Sequence, residues 1–94
     1  MLVIAHHNIS NPDKFWSLAE EVTRNIPDNL KLHSVFPSQD GKTGTCLWSG
    51  DSVQSVQDFL DKQTGPYAKN FCYELNVEKS VGLPGLKLEQ ASLS

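Results

Sequence analysis

Long apolar runs are missing from this 94-residue chain. The run Leu2-Val3-Ile4-Ala5 near the N-terminus is short and follows no basic segment. A secretory signal needs about 7–15 apolar residues behind a positive stretch, and a membrane helix about 20. The expectation is a cytoplasmic protein with no membrane partner. Basic charge is also scarce. Eight Lys and Arg against eleven Asp and Glu leave a net charge of −3, which argues against broad electrostatic binding to nucleic acid or anionic lipid. Cysteine is limited to Cys46 and Cys72, neither in a CxxC pair, so a structural zinc knuckle is excluded and two free thiols are expected. No GxGxxG, GK[ST] or HExxH motif occurs. Apolar residues at 38% and charged residues at 20% exclude disorder, collagen and coiled coil, and leave one small globular domain over 1–94.

What is present is alternation and helical spacing in a definite order. Residues 2–9 (LVIAHHNI) are apolar and β-branched and read as a buried strand. Asn11 can cap a helix that has Pro12 at its first position and an apolar stripe through Phe15, Leu18, Ala19, Val22 and Ile26, with Trp16 beside it. Pro27-Asp28-Asn29 ends that helix. Residues 30–36 (LKLHSVF) alternate, residues 37–42 turn at Asp40-Gly41, and residues 43–49 (TGTCLWS) return as the other half of a hairpin. Asp51 with Gln54 resembles a capping box, opening a helix through Val53, Val56, Phe59 and Leu60 to about Thr64, where Gly65-Pro66 stops it. Residues 69–77 (KNFCYELNV) alternate as a fourth strand. A loop with Gly82, Pro84 and Gly85 and a weakly apolar tail (Leu83, Leu86, Leu88) follow, so the core is 1–78 and the tail 79–94.

The order βαββαβ, with right-handed crossovers, closes most simply as an α+β ferredoxin-like sandwich: an antiparallel sheet in the order 4-1-3-2, both helices on one face, the other face bare. Pairing the apolar rows with the helices puts Phe71, Tyr73, Leu75 and Val77 of strand four, and Leu30, Leu32 and Phe36 of strand two, underneath them. The bare face then receives His33, Val35, Cys72 and Glu74 from the edges. For the central strands the parity stays open: either Leu2, Ile4, His6 and Asn8 or Val3, Ala5 and His7, and either Cys46 and Trp48 or Thr45 and Leu47. A mixed face of this kind suits a sheet-to-sheet homodimer enclosing a polar-lined cavity.

The element order over residues 1–78, with the HHNI strand, the LHSVFP…TCLW hairpin and the KNFCYELN strand, resembles the dimeric α+β barrel superfamily, and the segment NVEKSVGLP is similar to small bacterial members of it. The resemblance implies two subunits packed sheet against sheet. It also implies a range of activities that includes cofactor-free monooxygenases, haem-degrading enzymes, polyketide cyclases and small nickel-binding proteins. Asn8 and Trp48 match two positions of the haem-degrading pattern, but no His lies after position 33, so the haem ligand is missing and no cofactor is expected.

Three functions follow from the cavity. The first is binding of a small hydrophobic or polar-aromatic metabolite between the sheets, with His6, His7, His33, Cys72 and Glu74 as ligand-binding candidates. The second is a cofactor-free monooxygenase- or isomerase-like enzyme, with His33, Asn8 and Trp48 as catalytic candidates and His33 with Glu74 as an acid/base pair across a dimer. The third is a nickel, zinc or copper protein. Adjacent His6 and His7 point to opposite faces, so only one of them can join His33, Cys46 or Glu74, and no ligand spacing supports such a site. Cys46 and Cys72 fall two strand spacings apart, about 9–10 Å, beyond the Cα separation a disulfide accepts. Scattered polar sheet residues and inert thiols are the plain alternative to each of these sites.

Overall fold

The structure, a computed structural model, describes residues 1–83. The expected tail residues Pro84, Gly85, Leu86 and Leu88 lie outside the described residues. The element order is β1 (Leu2–Ile9), α1 (Pro12–Arg24), β2 (Lys31–Pro37), β3 (Thr43–Ser49), α2 (Val53–Thr64) and β4 (Ala68–Glu74). The four strands form one antiparallel sheet in the order β2-β3-β1-β4, which makes the fold ferredoxin-like. Among the described residues no helix is long and apolar enough to cross a membrane.

Local chemistry sets the element ends. The Asn11 side chain accepts the Lys14 N–H at the start of α1, with Pro12 at the first helical position. The α2 cap is Ser52, paired with Ser55 in a capping box one residue beyond the expected Asp51–Gln54 pair. The hairpin turn uses Gly41 at φ +73°, a conformation other residues adopt at a cost. Gly44 clears room on β3 for an aromatic ring, since a Cβ there would come within 3.1 Å of the Trp16 indole. That indole donates to the Gly41 carbonyl at 2.9 Å and ties α1 to the hairpin.

The core lies between the sheet and α2 and joins Val3, Ala5, Leu30, Cys46, Trp48, Val56, Leu60 and Cys72. A satellite of Ile9, Phe15 and Ala68 sits under α1. Each buried aliphatic side chain here contributes about 1.5–3 kcal/mol.

The register decides the two faces, and it corrects the expected parity. On β1 and β3 the helix side takes Val3, Ala5, His7, Cys46 and Trp48. On β4 it takes Ala68, Asn70 and Cys72, so Phe71 and Tyr73, expected in the core, are 63% and 45% exposed on the other side. On β2 the expected parity holds at Leu32, opposite buried Trp48, and then breaks. A bulge between Leu32 and Ser34 inserts His33 as an extra residue, so Ser34 pairs with Leu47, Val35 with Cys46 and Phe36 with Thr45. Phe36, expected under the helices, is 63% exposed on the bare face.

Candidate functional site

The uncovered face is a grid whose rows follow from the strand pairing. At one end Lys31 and His33 of β2 lie beside Ser49 of β3 and Leu2 of β1. The next row is Ser34, Leu47, Ile4 and Tyr73. Then come Phe36, Thr45, His6 and Phe71, and the far row is Thr43, Asn8 and Lys69. The face therefore has an aliphatic centre, aromatic flanks and polar ends. Phe71 and Tyr73 lean on each other at 5.8 Å between ring centroids.

Two imidazoles dock on hydroxyls of β3 here. His33 Nε2 lies 3.1 Å from Ser49 Oγ, and His6 Nδ1 lies 3.3 Å from Thr45 Oγ1. Partial burial, with the Lys31 charge beside it, holds His33 below the ordinary imidazole range, so it is neutral near pH 7. The pair can then run as Nε2–H to Oγ, leaving the Ser49 O–H free to donate outward, or as Ser49 O–H to a bare Nε2.

The helix side holds a second polar cluster, built around His7. Asn70 Nδ2 donates to Asp61 Oδ1 at 3.1 Å and to Thr64 Oγ1 at 2.9 Å, so its Oδ1 accepts from His7 Nδ1–H at 2.6 Å. His7 Nε2 is then bare and accepts the Cys46 S–H at 3.3 Å. Burial lowers the His7 pKa against the opposing pull of the Asn70 bond, with neighbouring His6 lowering it slightly more. Burial, helped by Cys72, pushes the Cys46 thiol up to about 12, and burial with Asp61 pushes Cys72 up to about 11. Cys, His and Asn in this order build thiol nucleophiles elsewhere. Here His7 is 1% exposed and the thiol keeps its proton, so the cluster joins β3, β1, β4 and α2 and offers no nucleophile. Gln57 of α2 completes the join along the edge of β4, donating to the Asn70 carbonyl at 2.8 Å and accepting the Cys72 N–H at 3.0 Å.

The residues singled out from sequence thus divide. His6, His33 and Asn8 share the uncovered face, although His6 and His33 stand two strands and two rows apart. His7, Cys72 and Trp48 lie beneath the helices; Trp48 is 2% exposed and meets Phe59 edge-on at 5.9 Å. Glu74 pairs with Val3 on the helix side of the far edge strand and is exposed, so the His33–Glu74 pair does not form within one chain. Both thiols are free, on either side of Ala5 as expected. No group of three or more His, Cys, Asp or Glu suited to a metal ion occurs among the described residues. Alternation put Lys31 on the side of His33, where it lies, and left the parity of Ser49 open; it missed Phe36, Phe71 and Tyr73 on the face, and Asn70 as the partner of His7.

A separate cleft of about 770 Å³ runs between α1 and the hairpin turn, lined by Pro12, Asp13, Trp16, Glu20, Ser38 and Asp40 among others. It holds none of the histidines. Its Asp40 already accepts from the Ser38 hydroxyl and the Lys42 N–H. In comparison with known proteins, the chain matches no family model and no curated protein.

Proposed function

We propose that the chain acts as a homodimer whose two uncovered sheet faces meet and hold a small hydrophobic or polar-aromatic metabolite between them. The observation that carries this reading is the placement of Phe36, Phe71 and Tyr73, exposed by 63%, 63% and 45%, on a face that no helix among the described residues covers. Three large side chains held in water on one side of a small sheet are a contact surface. A second copy covers the whole face at once, and two-fold pairing sets each aromatic flank against the partner's sheet. The hydroxyl–imidazole pairs then become the polar groups that orient a ligand in an otherwise apolar space. The test is light scattering coupled to size exclusion on the wild type and on Phe71→Asp. The reading expects a dimer that the charge converts to a folded monomer; a wild-type monomer at tens of micromolar would refute it.

A cofactor-free isomerase- or monooxygenase-like activity is the second reading, and His33 favours it. A neutral imidazole on the open face, hydrogen-bonded to Ser49, is placed to take a proton from an acidic carbon of a bound ligand. His33→Ala separates the two readings: turnover that survives it discards His33 as the base.

A further inference from the structure

The charges on the strands of this chain are sorted by face. Acids outnumber bases eleven to eight in the sequence, yet none of the side chains that the strand pairing sets on the uncovered face is a carboxylate. Asp13, Glu20, Glu21, Asp58 and Asp61 ride on the helices, on the far side of the sheet, and Glu74 lies on the helix side of β4. The uncovered face keeps Lys31 at one end and Lys69 at the other, with hydroxyls and imidazoles between them. Sheet-to-sheet pairing would add a second Lys31 and Lys69, and the strand residues of this face supply no carboxylate to answer them.

We infer that the ligand of this face is an aromatic or aliphatic anion, a carboxylate or its like, with its charge at the Lys31–Ser49 end and its apolar body on Ile4 and Tyr73. Lys31 lies directly across from Ser49 in the β2–β3 ladder. The Lys31 charge reaches His33, which bonds Ser49, and in the tautomer in which His33 Nε2–H donates, the Ser49 O–H is free to donate to an anion beside that charge. In the adjoining row half-buried Ile4 and exposed Tyr73 offer the apolar surface next to that anchor, and Leu47, 3% exposed, packs between them and Ser34. The inference rests on the ligand-binding reading above but not on the dimer, since anchor and apolar surface belong to one chain.

The experiment uses three matched fluorescent probes with one ring system: 2-naphthoate, 2-naphthylmethanol and 2-naphthylmethylammonium. The expected result is that naphthoate binds about tenfold more tightly than the alcohol, and the ammonium more weakly than either, in keeping with one charge-assisted hydrogen bond gained. Lys31→Met should abolish the preference for naphthoate while leaving the alcohol's affinity unchanged. In proton NMR, naphthoate should shift the ring signals of His33 and leave those of His7, sealed beneath the helices, in place. Equal affinity for naphthoate and the alcohol, or a preference that survives Lys31→Met, overturns the charge assignment and leaves the binding reading standing. Failure of all three probes to bind overturns both. Binding of a mixed-sequence single-stranded RNA that shifts His6 and His33 while naphthoate does not would assign the basic, aromatic face to a nucleic acid instead.

Discussion

His6 and His7 are neighbours in the chain and have opposite fates. His7 turns toward the helices, loses its water, and has both ring nitrogens occupied by Asn70 and Cys46. His6 turns outward among Thr45, Phe36 and Phe71, with a single contact to a hydroxyl. The same side chain is a joint on one face and a reachable group on the other. What separates them is strand parity, which is fixed by what the rest of the sheet buries.

That contrast can be tested first through stability. His7→Ala removes a fully buried ring and leaves Asn70 Oδ1 and the Cys46 thiol without partners, so we expect a loss of about 3 kcal/mol in urea unfolding. Asn70→Ala, which strands His7 Nδ1–H and frees Thr64 and Asp61, should cost about 2 kcal/mol. His6→Ala should stay within about 0.5 kcal/mol of wild type, because its surroundings are half open. If the two histidine variants fall equally, the division into joint and reachable group is wrong.

The pH dependence sharpens the same comparison. The folded-state pKa of His7 lies below its ordinary 6.5, so the unfolded chain binds the proton more readily. This contribution to stability is complete above about pH 6.5 and is lost as the pH falls toward the folded-state value. Cys46 and Cys72 work from the other side. Their thiols are raised from 9.0 to about 12 and about 11, so their contribution is complete below pH 9 and is lost as the pH rises toward those values. Thermal midpoints should therefore form a plateau between these limits, and Cys46→Ala should flatten its alkaline edge. The native thiols should also resist iodoacetamide at pH 8 and react once urea unfolds the chain; rapid labelling of the folded protein would contradict their burial.

The outline of the fold was readable because each element carries its own signal. Residues 2–9 and 43–49 are β-branched and apolar enough to define β1 and β3 to the residue, and Asn11-Pro12 announces α1. The element order then leaves few sheet topologies open. The faces were less readable, for two physical reasons. On β4 the large apolar residues Phe71 and Tyr73 outrank Cys72, Asn70 and Ala68 by hydrophobicity, yet the smaller set fits under α2 and meets His7 and Gln57. On β2 the alternation is valid as far as Leu32, and the single extra residue His33 inverts everything after it, which no composition rule reveals. The site inherits these slips. His6, His33 and Asn8 share the uncovered face; Cys72, Trp48 and His7 are held in the core; and the hydroxyl partners Ser49 and Thr45 became visible only with the register.

All of this turns on whether the uncovered face is a surface that another molecule covers. Hydrogen exchange under native conditions, read at the edge-strand residues Phe36, Phe71 and Tyr73 as a function of protein concentration, asks that directly. Protection that rises with concentration and disappears in Phe71→Asp is the predicted result. Exchange at those positions that is fast and independent of concentration would contradict it.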